Sequence, residues 1–378
     1  MRIAFFTETW FPNVDGVVVA ISSAKRELER RGNDILILTA GGQSKKRRGE
    51  GGHVFNFPAV DFPPYPAYKL AVFPYPEAEE IVRNNRIDVI HSHGMGPMGV
   101  AALFVSAILD KPLIGTLHTN IQEATHYIVP IKPMQRIMKR VAWRYLKWYY
   151  NQCDAVVVPS EYMKRECKAH GIRNVLAISN GIDLKRFRPG KKVLWKDKTV
   201  VLYVGRMVKE KNLDVVIRAA KRMEKRIPNI LFVIVGSGPA EQHYKDSAKK
   251  HGVSNLFLFI SGVQPKDVTQ YYHNADMFVF PSMFETQGLS GLEALACGLP
   301  VAGADYLAIP DIVKTGKNGH LFKPHDTKGC ADAIYYCVRN KKRLSKSAIK
   351  SVQPHSIDKS ISRLISLYSK ALVMPRSV

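Results

Sequence analysis

The chain of 378 residues is poor in acids. Only 32 Asp and Glu stand against 56 Lys and Arg, and no D-x-D triplet occurs anywhere. A divalent metal bridging acidic side chains to a diphosphate is therefore not expected, and no metal ligands are assigned. Cysteine is equally sparse. The five, Cys153, Cys167, Cys297, Cys330 and Cys337, form no C-x-x-C pair, which argues against a disulfide framework or a thiolate cluster and points to a reducing cytosol. No apolar run reaches the roughly 18 residues that suggest a bilayer-spanning helix. The opening MRIAFF turns polar too soon for a signal peptide and reads instead as a first strand. No internal repeat is visible.

What the sequence does hold is 46% apolar residues, in helix-like and strand-like segments that alternate throughout. This pattern predicts an α/β protein long enough for two domains. The formal net charge of +24 suits a partner that is a nucleic acid, an anionic membrane or an anionic small molecule. No recognised nucleic-acid module accompanies it.

The chain is organised around 280–300, FPSMFETQGLSGLEALACGLP. A buried strand ends at Phe280, a loop with two glycines follows, and a helix is predicted over 292–297, closed by Gly298. A strand, a glycine loop and a helix start together aim free backbone N–H groups at the carboxyl edge of a sheet, which is an anion site. Phosphate suits it, because a loop containing Gly288 lets oxygens approach the backbone. Two glutamates flank the loop. Glu293 is placed to accept ribose hydroxyls, and Glu285 to hold sugar hydroxyls or stabilise positive charge. The plainer alternative is a pair of solvated charges around an ordinary turn.

Upstream, a strand over 199–204 runs into Gly205-Arg206, with Lys211 five residues further on, before a helix over 212–226. A guanidinium fork and a compact ammonium at a strand end beside a helix start make a diphosphate clamp. Alone, such a pair is also compatible with solvated surface. In the first half, the strand 3–7 leads to a loop and a helix over 17–31. Gly16 stands where that loop meets the helix, either facing a ligand or simply turning the chain. Strands ending near His93 and His118 place imidazoles at the same sheet edge, able to donate to a hydroxyl or phosphate or to serve the fold. The proline- and aromatic-rich stretch 57–76 fits no regular element throughout. It reads as an exposed flap or a packed irregular connection.

Segment 131–150, IKPMQRIMKRVAWRYLKWYY, is amphipathic at helical spacing. Lys132, Arg136, Lys139, Arg140, Arg144 and Lys147 fall on one arc. Met134, Ile137, Met138, Val141, Tyr145, Trp148 and Tyr149 fall on the opposite one. Such a helix, with Trp148 at its border, suits the surface of an anionic membrane. Packing of the apolar arc on the domain core is the competing reading.

Taken together, the glutamate pair eight positions apart and the upstream Gly205-Arg206-x4-Lys211 pattern resemble the signature of the retaining glycosyltransferases of family 4. The resemblance spans nearly the whole chain and is densest over 199–325. It implies the GT-B architecture: two doubly wound Rossmann-like domains facing across a cleft, with a terminal helix that returns to the first. A linker after Phe187 accordingly divides the chain into 1–187, 188–360 and a final helix in 361–378. The resemblance implies that Gly16 and His118 lie near the sugar, and that Val263 meets the base through its backbone. It also implies that Gly205, Gly288, Leu289 and Ser290 hold the diphosphate with Arg206 and Lys211. Catalysis would then rest on Glu285, His118, Arg206 and Lys211. The expected substrate is a UDP-sugar or GDP-mannose, used without cofactor or metal. The opening strand and loop resemble those of the diacylglycerol glucosyltransferases and phosphatidylinositol mannosyltransferases, which favours a lipid acceptor and a peripheral enzyme on the cytoplasmic membrane face. Transfer to a soluble sugar, sugar phosphate or polysaccharide is the alternative, and a basic nucleic-acid-binding protein a remote one.

Overall fold

A computed structural model describes residues 1–12, 16–41, 53–61, 69–118 and 132–374; for 132 and 133 only the backbone is described. The chain forms two compact units, Met1–Gly181 joined by Ile357–Val378, and Ile182–Ser356.

The first unit is built on a seven-stranded parallel sheet. Its strands are β1 (Arg2–Thr7), β2 (Asp34–Ala40), β3 (Val54–Phe57), β6 (Val89–Ser92), β7 (Leu113–Thr116), β8 (Ala155–Val158) and β9 (Val175–Ala177). They run in the order β3-β2-β1-β6-β7-β8-β9. Between β3 and β6, the short strands β4 (Ala59–Asp61) and β5 (Lys69–Ala71) pair antiparallel, so the proline-rich stretch contributes a small ribbon. The two faces of the sheet are legible in the alternation of its central strands. Ile3 and Phe5 of β1, with Ile35 and Ile37 of β2, pack under α1 (Gly16–Arg30). Ala4, Phe6, Leu36 and Leu38 point the other way, toward α2 (Tyr75–Asn84), α3 (Pro97–Leu109), α4 (Lys132–Tyr150) and α5 (Glu161–Ala169). This period of two is what a sheet covered on both faces requires. Ser160 starts α5 by accepting from the Met163 amide at 3.2 Å, a regular N-cap.

The second unit repeats the plan with a six-stranded parallel sheet ordered β12-β11-β10-β13-β14-β15. Its strands are β10 (Thr199–Val204), β11 (Ile230–Val235), β12 (Phe257–Ile260), β13 (Met277–Phe280), β14 (Val301–Ala304) and β15 (Gly319–Phe322). Its helices are α6 (Leu213–Arg226), α7 (Glu241–Lys250), α8 (Thr269–His273), α9 (Leu289–Ala296), α10 (Ile309–Ile312), α11 (Thr327–Arg339) and α12 (Lys341–Ser351). The last helix, α13 (Ile357–Val373), belongs to the first unit. Its Ile361, Leu364 and Tyr368 are buried with Ile21 and Leu28 of α1, and Arg31 donates to Asp358 at 3.1 Å. In each sheet the strand order reverses beside its first strand, between β1 and β6 and between β10 and β13. Loops at such reversals form the ligand crevice of open α/β sheets.

Candidate active site

In the second unit, the loops after β10 and β13 lie on adjacent strands at the reversal. The backbone locks them together. The Met283 amide donates to the Glu210 carbonyl at 2.7 Å, and Asn212 Nδ2 reaches the Pro281 carbonyl at 3.4 Å. Lys211 closes a short 3-10 turn, Lys209–Lys211, which aims its side chain across to the second loop. There its Nζ donates to Glu285 Oε1 at 2.5 Å and to the Phe284 carbonyl at 3.1 Å. Two of the residues singled out from sequence are thus in direct contact. Arg206 sits at the end of β10 with an exposed side chain, and its carbonyl accepts from Tyr203 Oη at 3.0 Å. Gly205 links it to the strand.

The helix expected over 292–297 begins earlier, at Leu289. Gly288 takes the left-handed conformation, with φ of 88°, at its N-cap. Gly291, read from sequence as loop, lies inside the helix, because α9 approaches β13 so closely that a Cβ there would fall 2.9 Å from Phe280. This packing outweighs the low helix propensity of glycine. The shift places Leu289 and Ser290 in the first turn, whose amides have no acceptor within the helix. The helix start therefore lies four residues beyond Glu285, the partner of Lys211.

Glu293 lies one turn further along α9, and its Oε2 accepts from Tyr272 Oη at 2.7 Å. Burial pushes its carboxyl up to about 7, against the hydrogen bond from Tyr272 and the charge of Arg186, which act the other way. Val263 follows β12, half-buried against the core. Nearby, Arg186 donates to the Pro265 carbonyl and approaches Thr269 Oγ1 at 3.4 Å.

In the first unit, Gly16 is the first residue of α1, and a Cβ there would meet nothing within 4 Å; the structure sets no steric requirement for glycine at this position. Its neighbour Asp15 and the loop 13–15 lie outside the described residues, as do Asn120 and the basic stretch 43–52. His118 stands just past β7 and its Nε2 lies 3.0 Å from His93 Nδ1. His91, buried beside them, contacts Thr116 Oγ1 and Tyr368 Oη, each at 2.6 Å. Burial lowers all three imidazoles, His118 to about 4 and His91 to about 3. They are neutral at physiological pH, so His118 can offer a hydrogen bond and not a positive charge.

Sequence reading missed Glu8, Tyr272 and Arg186. Glu8 follows β1 and is buried, with Oε1 accepting from the Met98 amide at 2.7 Å at the start of α3. Burial raises its carboxyl to about 7. Its signal was available: an acid directly behind an apolar strand, at the reversal of a sheet. Tyr272 gave no such signal, because its role depends on meeting Glu293 in space.

The amphipathic segment forms α4, with one correction to its arcs. Its core-facing side overlaps only one edge of the expected apolar arc: Tyr149 from that arc is buried together with Leu146 and Tyr150, which belong to neither arc. Tyr149 is 0% exposed because its hydroxyl ties the helix to Ser92 Oγ at 2.8 Å and to the Gly94 carbonyl at 3.0 Å. Met138 and Lys139 are half-buried at the margin. Met134, Ile137, Val141, Tyr145 and Trp148 of the apolar arc are exposed, Val141 60% and Trp148 50%, while the Tyr145 hydroxyl donates to the Met95 carbonyl and Trp143 packs on the core. Arg136, Arg140, Arg144 and Lys147 are exposed beside them; the side chain of Lys132 lies outside the described residues. No helix among the described residues is long and apolar enough to cross a membrane.

Comparison with known proteins agrees with this geometry. Alpha-monoglucosyldiacylglycerol synthase of Streptococcus pneumoniae is 28% identical over 344 residues, covering 87% of this chain and 77% of that one. A GDP-mannose-dependent alpha-mannosyltransferase of Corynebacterium glutamicum is 27% identical over 343 residues, covering 87% and 78%. Among solved structures, Anabaena Alr3699/HepE in complex with UDP and glucose superposes with a TM-score of 0.76 at 18% identity, over 98% of this chain and 100% of that one. Residues 14–186 match the model Glycosyltransferase Family 4 and residues 185–352 the model Glycosyl transferases group 1. With both domains present, each an α/β unit on a parallel sheet, the chain belongs to the family-4 glycosyltransferases of GT-B fold.

Proposed function

We propose that this glycosyltransferase moves a hexose, glucose or mannose, from a nucleoside diphosphate sugar to a lipid acceptor while lying on the cytoplasmic face of an anionic membrane. The observation that carries the lipid assignment is α4. A helix that merely covers a core buries its apolar stripe; this one exposes Met134, Ile137, Val141, Tyr145 and Trp148 beside a row of cations. Apolar insertion and headgroup attraction then act together, at about 1 kcal/mol per basic residue near the surface. The neighbouring α3, on the same face of the sheet, has no charged residue among its 13 and leaves Phe104 56% exposed. The name of the pneumococcal relative, alpha-monoglucosyldiacylglycerol synthase, is consistent with a diacylglycerol-type acceptor.

On the donor side, Arg206, Lys211 and the first-turn amides of α9 neutralise the charge that develops on the departing diphosphate. Glu293 takes the ribose hydroxyls. Glu285, released from Lys211 as the phosphates enter, holds the sugar, with Val263 against the base. On the first unit, neutral His118 and the Gly16 amide are able to donate to a sugar hydroxyl. This set of charges suits transfer with retention and without a metal, the diphosphate oxygen accepting the proton of the incoming hydroxyl.

The test is a donor screen by nucleoside diphosphate release with a crude lipid extract as acceptor, alongside flotation with anionic and neutral vesicles. Release that needs lipid, with salt-sensitive flotation on anionic vesicles, supports the reading. Equal turnover on soluble sugars without lipid, and no recruitment at low salt, overturns the lipid assignment. Salt-sensitive DNA binding without affinity for any sugar nucleotide overturns the whole.

A further inference from the structure

We propose that Tyr272 is a positioning residue for nucleotide recognition: by donating its phenolic O–H to Glu293 Oε2, it fixes the carboxylate so that its other lone pairs accept the two ribose hydroxyls. This rests on the nucleotide-sugar reading above and adds to it the residue that sets the state of the ribose acceptor.

Tyr272 lies on α8 and is 1% exposed, its ring against Phe278 and edge-on to Phe187. A phenylalanine would fill the same space, so packing does not explain the hydroxyl. The hydroxyl has two acceptors, Glu293 Oε2 at 2.7 Å and the Ser290 carbonyl at 3.4 Å. The short bond is the one to the carboxylate. A charge-assisted bond of this length is about twice as strong as a neutral one, and it holds one oxygen while leaving the other for a ligand.

The bond also biases protonation. Three groups face Glu293: Tyr272 from α8, Arg186 from the segment before β10, and the buried Cys297 thiol on α9 itself. Burial drives the carboxyl up to about 7, and Tyr272 is the principal influence drawing it back, with Arg186 second. Arg186 acts through space, its guanidinium being turned to the Pro265 carbonyl. A carboxyl accepting from two hydroxyls is favoured in its ionised form. The sign follows: nucleotide binding strengthens as pH rises through about 7, and loss of the Tyr272 donor moves that midpoint upward.

The experiment titrates UDP and GDP, and their 2′-deoxy analogues, into the full chain from pH 6 to 9. It compares the parent with Tyr272→Phe and Glu293→Gln. For Tyr272→Phe, the midpoint is expected to rise by roughly one pH unit, with ~fivefold weaker binding at neutral pH that converges on the parent at the alkaline end. Its preference for ribose over 2′-deoxyribose shrinks. Glu293→Gln binds weakly and without this pH dependence. Should Tyr272→Phe fold poorly, site-specific 3-fluorotyrosine, a stronger donor of the same shape, is expected to move the midpoint downward.

An unchanged midpoint and ribose preference in Tyr272→Phe, while Glu293→Gln still weakens binding, overturns the role of Tyr272 alone. A pH-independent loss accompanied by a lower melting temperature does the same, since it marks a structural side chain. No effect of Glu293→Gln on either nucleotide overturns the donor reading and this inference with it.

Discussion

The two units share one plan and differ at their edges. Both are parallel sheets that reverse order beside their first strand, yet the strand ends of the second present Arg206 and Lys211, while those of the first present Glu8 and histidines. In the second, Arg206 and Lys211 stand at a helix start, and Lys211 is held by Glu285. In the first, the equivalent strand ends present Glu8, His93 and His118, with the carboxyl pushed up to about 7 and the imidazoles down. One edge is built to answer charge; the other is kept close to neutral by burial. The lesson is that the Rossmann-like scaffold decides where a ligand goes, and the residues just past two strands decide its chemistry.

The comparison breaks most readily at the second unit. Arg206→Ala or Lys211→Ala should lower transfer by about 10²–10³-fold, measured as nucleoside diphosphate release, with an unchanged circular dichroism spectrum. His118→Ala should cost less, since a neutral imidazole contributes a hydrogen bond and no charge. The outer surface of the first unit comes next. Replacing Arg136, Arg140 and Arg144 together by Glu should abolish flotation on anionic vesicles and reduce transfer to lipid by about a hundredfold at about 1 kcal/mol per lost cation. Binding of free nucleotide should stay as it was, because α4 belongs to the first unit and the proposed donor site to the second.

Two subtler effects sharpen the contrast. On the proposed reading Glu285 competes with the incoming phosphates for Lys211, so Glu285→Gln should bind the nucleoside diphosphate several-fold more tightly, by about 1 kcal/mol, and still transfer sugar more slowly. Calorimetry beside turnover separates the two. Glu8 bears on stability and not on binding or turnover. Its folded carboxyl is raised from 4.5 to about 7, so the stability it lends is complete below the unfolded value and is lost as pH rises through the folded one. Glu8→Gln cannot ionise. The difference in unfolding free energy between variant and parent should therefore move in favour of the variant by about 1–3 kcal/mol between pH 5 and 8, read by denaturant titration. Taking the difference cancels the opposite trend of the histidines, whose lowered values cost stability on the acid side.

Much of this was legible in the amino-acid order. The alternation of apolar segments with glycine-closed helices revealed the parallel sheets, and short-range patterns such as Gly205-Arg206-x4-Lys211 were readable because their members share one loop. Helix boundaries were less so. The start of α9 was misplaced because Gly291 signals loop locally, while its contact with Phe280 belongs to the folded state. The same limit hid the core-facing side of α4. Periodicity puts Tyr149 on the apolar arc but does not say which part of that arc is buried, and Tyr149 meets Ser92, a residue 57 positions away. Tyr272 was invisible for that reason too, its meaning resting on a carboxylate 21 positions on.

The placement of α13 has a practical consequence. Residues 182–356 are a continuous guest inserted into a host that is cut in two, and a Cβ on Gly181 would come within 2.8 Å of Ile357 Cα. Excising the guest and closing the gap with a short bridge should give the first unit in one piece. A fragment stopped at Gly181 would instead lose Tyr368, Leu364 and Ile361 from beneath its sheet, and would be expected to aggregate.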